Sequence, residues 1–406
     1  MFVVTALFFM WGFVTVLNDI LVPHLKGIFD LSYTEVMLIQ FAFFSAYFIF
    51  SIPSAKLIDS IGYKRTMVVG LLTMGVGALL FIPAASVPSY PLFLTALMIL
   101  AAGITALQVA ANPYVAVLGP PETASSRLNL TQAFNSLGTT IGPYLGGLFI
   151  LSAAPQSMTA VRQLGSGALQ SYRVHEASSV KLPYLFIGLL LILLAGAIAW
   201  ANLPGIPEAE RHSSKIAAKS VLKYRHLVLG AVGIFVYVGA EVSIGSFLVN
   251  YFSQPDIGNI NEQTAARFVS FYWGGAMVGR FLGSAILRRV RADRMLAVAA
   301  FAACILVCVS MLTFGHVAMW SIILVGFFNS IMFPTIFTLG IAKLGPLTGD
   351  GSGILVMAIV GGAILPVIQG SLADHLGIHH AFILPVLCYL YIAYYALKGS
   401  KPSVPA

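Results

Sequence analysis

Two carboxylates stand inside otherwise apolar stretches of the chain, Asp19 in Leu17-Asn18-Asp19-Ile20 and Glu241 in Gly239-Ala240-Glu241-Val242. A charge at the centre of a bilayer costs at least ~2.5–3.5 kcal/mol on insertion scales, so each one retained needs a cavity, a partner or a task. An aspartate in a wet cavity can bind a proton or a sodium ion and be neutralised by it. Movement of the surrounding helices then depends on that ion. Asp19 is therefore the candidate cation-coupling residue and a candidate Na+ ligand, although Pro23, His24 and Lys26 follow closely and hydration at the outer interface is the simpler alternative. Glu241 has three readings: it accepts hydroxyl donors, pairs with Arg280, or sits neutral.

Around these acids lie amides in apolar company: Gln108 and Asn112, Gln132 and Asn135, Asn250, Asn329 and Gln369. Residues three or four apart share a helical face, which joins Gln108 to Asn112 and Gln132 to Asn135. An amide donates and accepts at once, as the hydroxyls of a sugar require, and the apolar C–H face of a sugar asks for an aromatic plate. Trp273 is the leading plate, with Phe134 and Phe328 behind it. Buried amides also tie helices to one another, so each has a structural reading beside the binding one. A neutral cluster of this size favours a small uncharged polyhydroxylated ligand. The candidate binding set is Gln108, Asn112, Gln132, Asn135, Glu241, Trp273, Asn329 and Gln369.

Catalytic apparatus is not found. The chain carries no Gly-x-x-x-x-Gly-Lys-Ser/Thr phosphate loop, no His-Glu-x-x-His, no paired-Cys metal ligands and no Gly-x-Ser-x-Gly elbow. We expect no enzyme activity, no catalytic residues and no cofactor beyond a coupling ion, Na+ or H+. The three cysteines, Cys304, Cys308 and Cys388, fall in apolar segments, and no disulfide is expected.

Those side chains need elements to hold them. The hydrophobic fraction is 59% and the charged fraction 9%, whereas a soluble domain carries roughly a quarter charged residues. With about 20 apolar residues per spanning helix, 406 residues hold twelve spans. Their cores are 2–22, 34–57, 66–84, 92–117, 128–152, 182–203, 226–252, 265–287, 295–314, 318–342, 353–374 and 380–397. A β-barrel would alternate, but Leu185 to Ala201 is apolar on every face, so the spans are helices. No cleaved signal peptide is expected. Of the 22 Lys and Arg, sixteen fall with the even-numbered loops and the C-terminus, five on the other side, and Arg280 within a span. The positive-inside rule then places both termini in the cytoplasm. The excess charge of +8 reports orientation, not a nucleic-acid partner.

The polar stretch 204–225 reads as a cytoplasmic linker between halves 1–203 and 226–406. Leu118-Gly119-Pro120 recurs as Leu344-Gly345-Pro346, Pro143-x-x-x-Gly147 as Pro366-x-x-x-Gly370, and Gly12 as Gly239, at offsets of 226, 223 and 227. Two parallel six-helix repeats are the architecture of major facilitators, with the site at the midplane between halves. The expected fold is therefore an all-α membrane protein, twelve transmembrane helices in two six-helix pseudo-repeats. Asn112-Pro113 in span 4 corresponds to Pro334 in span 10, and these prolines are candidate bends.

Ala55-x-x-x-Asp59-x-x-Gly62-Tyr63-Lys64-Arg65 resembles the Gly-x-x-x-Asp-x-x-Gly-Arg-Arg loop of the major facilitator superfamily. That resemblance implies a cytoplasmic gating loop with Asp59, Lys64 and Arg65. Gly370-x-x-x-Asp374-x-x-Gly377 matches in lettering but falls outside, where a helix-end turn is expected. Longer strings, Leu17-Asn18-Asp19-Ile20-Leu21-Val22-Pro23, Ala110-Ala111-Asn112-Pro113-Tyr114, Arg127 to Ser136 and Glu241 to Phe247, resemble the fucose-galactose-glucose symporter family, and within it the bacterial glucose/galactose transporters. The resemblance implies hexose uptake by cation symport, with Asp19 linked to the cation and Gln132 and Asn135 to the sugar. Gln108 departs from the pattern: the fucose permease has a proton-coupling glutamate there, and a glutamine cannot titrate. The implied partners are a small neutral sugar and the lipid bilayer. No nucleic acid and no obligatory protein partner are expected, and the chain is expected to be a monomer. The competing functions are efflux antiport of drugs or metabolites and sugar sensing without flux.

Overall fold

A computed structural model of the chain describes residues 2–29, 31, 33–150, 164–204 and 221–402. Helix covers each of the twelve expected spans, and no strand occurs among the described residues. Span 1 is Phe2–Phe29. Spans 2 and 3 form one helical run, Tyr33–Ser86, broken at Gly62, whose φ of 81° and ψ of 166° only glycine adopts at low cost. Spans 4 to 9 are Tyr90–Val117, Ala124–Ile150, Lys181–Trp200, Arg225–Phe252, Glu262–Ile286 and Ala292–Leu312.

The last three spans are segmented. Span 10 comprises Gly315–Asn329 and Met332–Gly340. Span 11 runs as Thr348–Met357, a 3-10 turn Ala358–Val360, and Gly361–Leu376. Span 12 runs as Ile378–Ala381 and Ile383–Tyr394. One helix was not expected. Ser166–Ser178 lies between spans 5 and 6, and its Gln170, Arg173, His175 and Glu176 hide it from a hydropathy reading. Most of the expected linker 204–225 and the side chain of Asp19 lie outside the described residues.

The repeat shows in how backbones meet. In each half the first helix packs directly against the fifth: a Cβ on Gly138 would overlap the carbonyl oxygen of Phe9, and one on Gly361 would overlap that of Phe235. Gly12 and Gly239 likewise sit against Asn135 and Leu365. Small residues let helices close up in a bilayer, where apolar side chains gain nothing by leaving lipid. Both copies of Leu-Gly-Pro lead into a 3-10 turn and then a span, Pro121–Thr123 before Ala124 and Gly345–Leu347 before Thr348. The two Asp-x-x-Gly strings also end alike, since Gly377 adopts φ 80° and ψ 153° and terminates the helix of span 11.

Spans 2 and 11 pack together, as do spans 5 and 8, joining the first six spans to the last six. Exchanging the repeats maps one pair onto the other.

Candidate substrate and coupling site

The geometry of the site begins with two prolines. A proline lacks the N–H that would bond the carbonyl four residues earlier. Pro113 so frees the carbonyl of Val109, and the hydroxyl of Ser352 in span 11 donates to it at 2.7 Å. Pro334 frees the carbonyl of Ser330, and Arg280 Nε in span 8 donates to it at 3.2 Å. The helix is interrupted at Ser330 and Ile331, so Asn329 ends its segment and receives the Tyr237 hydroxyl on its carbonyl at 3.0 Å.

Six of the amides expected to bind are buried in protein and not turned to lipid: Gln108, Asn112, Gln132, Asn135, Asn329 and Gln369. The structure divides them. Gln108 Nε2 donates to the Tyr47 hydroxyl at 2.8 Å, and Asn135 Nδ2 to the carbonyl of Phe8 at 3.0 Å, so both give a donor to helix packing. Gln132 Nε2 reaches Asn112 Oδ1 at 3.5 Å, which brings spans 4 and 5 together and leaves Asn112 Nδ2 without a partner. In the last six spans Asn329 Nδ2 donates to the Tyr272 hydroxyl at 2.8 Å, while both ends of Gln369 and Ser243 Oγ are buried without partners. Unsatisfied buried polar atoms cost about 1–3 kcal/mol each.

Glu241 Oε1 accepts from the Tyr237 hydroxyl at 2.7 Å, and no ion pair joins it to Arg280. Arg280 instead donates to Ser330, to the carbonyl of Gln132 at 3.5 Å and to Ser136 Oγ. Trp273 stands 42% exposed, edge-on to Tyr272 with ring centroids 5.2 Å apart. Phe134 turns elsewhere: it meets Phe281 edge-on and lines a cavity of about 330 Å³ with Thr5, Ala6 and Phe9, which contains none of the amides. Phe328 is edge-on to Phe327.

Tyr237, Tyr272, Tyr389, Ser243 and Arg280 were not assigned to the site from the sequence. Tyr237 was within reach of that reading, since it precedes Glu241 by one helical turn. Arg280 was considered only as an ion-pair partner, and the signal for its true acceptor was Pro334, four residues after Ser330.

Beyond the amides, at the end bearing the even-numbered loops, short hydroxyl contacts close the two sets of spans. Ser125 and Thr338 hydroxyls meet at 2.6 Å. Ser126 Oγ donates to the Ser284 carbonyl at 2.6 Å, and Ser284 Oγ returns a bond to the Ser126 carbonyl at 2.9 Å. Asp59 lies across from Gly349 in the first turn of the helix Thr348–Met357, whose amino end attracts negative charge. Burial pushes the Asp59 carboxyl up to about 6, and the charge of Asp350 adds to this. Lys64 and Arg65 make no hydrogen bond or ion pair with the described residues. Arg127 gathers the end of span 4, donating to the carbonyls of Val115, Ala116, Gly119 and Pro120.

The Major Facilitator Superfamily model matches residues 2–358. The chain belongs to the major facilitator superfamily. It is a multi-pass membrane transport protein and not an enzyme. It is 56% identical over 397 residues to the glucose/galactose transporter of Brucella abortus, covering 98% of this chain and 93% of that one. It is 36% identical over 403 residues to the L-fucose-proton symporter of Escherichia coli, covering 98% and 92%. The crystal structure of the facilitator FucP in the outward conformation superposes with a TM-score of 0.90 at 36% identity, over 97% of both chains.

Proposed function

We propose that this facilitator takes up a hexose, glucose or galactose, together with a cation, Na+ or H+, by alternating access between halves 1–203 and 226–406 joined by the linker 204–225. The observation that carries the reading is the set of buried neutral amides and tyrosines on spans 4, 5, 8, 10, 11 and 12, several with polar atoms still unpartnered. The names of the relatives in Brucella abortus and Escherichia coli point to the same class of cargo.

In this reading Asn112, Gln132, Asn329 and Gln369 contact sugar hydroxyls, with Trp273 covering a C–H face and Glu241 accepting through or beside Tyr237. Gln108 and Asn135 shape the wall. Asp19 carries the coupling cation, because Gln108 in span 4 has no proton to give. Asp59 belongs to the cytoplasmic closure, with Lys64 and Arg65 beside it in the loop. The protein works as a single chain in a bacterial inner membrane with both termini in the cytoplasm, and needs no cofactor.

Counterflow of labelled glucose into proteoliposomes, with sodium and pH varied independently, tests the proposal. Saturable counterflow competed by galactose supports it. No counterflow would favour a sensor, and flux indifferent to hexoses would favour an efflux antiporter.

A further inference from the structure

Arg280 is the described cation deepest among the candidate binding residues, and its acceptors are two backbone carbonyls and a hydroxyl, not a carboxylate. The acceptors come from both sets of spans. Ser330 directly follows Asn329, and its carbonyl is available because Pro334 cannot fill it. Gln132 and Ser136 lie on span 5, where Gln132 is itself a candidate sugar ligand. One guanidinium thus fixes the backbone beside Asn329 and the backbone of Gln132 at the same time.

This arrangement exists in a state whose even-loop end is closed by Ser125–Thr338 and Ser126–Ser284. Parting that end draws span 5 away from span 8. Arg280 can stay with Ser330, in its own half, but loses Gln132 and Ser136. A guanidinium left with unmet donors in hydrocarbon needs another acceptor.

We propose that Arg280 is a positioning residue that makes sugar affinity depend on which side is open: it aligns Gln132 with Asn329 while the cytoplasmic end is closed, and releases that alignment when the end parts. Sugar is then held tightly from outside and loosely from inside. The inference rests on the transport reading above.

The test compares KM for glucose entry and exit in oriented proteoliposomes, for the wild type, Arg280→Lys and Ser136→Ala. A lysine keeps the charge but not the fork that reaches both helices, and Ser136→Ala removes one acceptor while leaving Arg280 in place, so it carries the test if the lysine variant fails to fold. The wild type should show a lower entry than exit KM. Each variant should raise entry KM about fivefold to tenfold, the scale of one net hydrogen bond, with exit KM within about twofold. Equal entry and exit KM in the wild type, or variants in which both constants move together or neither moves, would overturn the inference while leaving transport intact. Absence of any saturable glucose flux in the wild type would overturn the transport reading and this inference with it.

Discussion

The Ser352 hydroxyl caps the Val109 carbonyl at 2.7 Å, the one backbone acceptor that Pro113 leaves without its helical donor. A helix irregularity in span 4 is thereby turned into a bond between the two halves of the molecule. Removing the donor by Ser352→Ala should weaken the contact between spans 4 and 11 by about 1 kcal/mol. In a Pro113→Ala background the restored N–H competes for the same carbonyl, so Ser352→Ala should then cost measurably less. A double-mutant cycle on the accessibility of cysteines placed in the seam measures the coupling, and full additivity would refute it.

Backbone contact between the first and fifth helices of each half predicts an asymmetry among glycines. Gly138→Ala and Gly361→Ala force helices apart and should lower Tm or abolish monodisperse protein, at a cost of a few kcal/mol. Gly196→Ala, where a Cβ meets nothing within 4 Å, should be neutral or stabilising by up to about 1 kcal/mol. Thermal unfolding in detergent separates the two classes.

Asp59 supplies the pH dependence. Its folded value of about 6 lies above the ordinary carboxylate value, so the folded protein binds this proton more tightly than the unfolded chain. The contribution to stability is full at low pH and is lost as pH rises through about 6. Half-exposure screens its size. Asp59→Asn should flatten this part of the profile of Tm between about pH 4 and 7; a variant profile parallel to that of the wild type would remove Asp59 as its source.

Asp19→Asn should abolish gradient-driven accumulation of labelled hexose while sparing exchange, since the neutral side chain mimics the cation-loaded carboxylate. Accumulation at the wild-type level would exclude the coupling role.

Gln132→Ala should weaken sugar affinity by about tenfold, the loss of one or two hydrogen bonds, with expression unchanged. Equilibrium binding of labelled glucose is the measurement, and unaltered affinity would take Gln132 out of the site.

The twelve spans were legible because hydrocarbon tolerates few alternatives to a run of about 20 apolar residues closed on its own hydrogen bonds. The amides stood out for the same reason, as polar letters in an apolar field. What pattern reading did not resolve is which amide serves packing: Gln108 and Asn135 look like Asn112 and Gln132 in the sequence, and only the positions of Tyr47 and the Phe8 carbonyl distinguish them. The tyrosines of spans 7, 8 and 12 were hidden by the abundance of aromatics, and the Ser166–Ser178 helix by its polarity. For the gating loop, the lettering identified Asp59 and the Gly62 turn, whereas the helix end and Asp350 opposite it come from a segment almost three hundred residues away.

The contact of Gly138 with Phe9, repeated as Gly361 with Phe235, has a mechanical consequence. Where the main chains of two helices touch, few long side chains lie between them to shear, so the pair resists sliding and tends to move as one body. A movement of such pairs against one another would have to part the surfaces where the short hydroxyls of Ser125, Thr338, Ser126 and Ser284 meet.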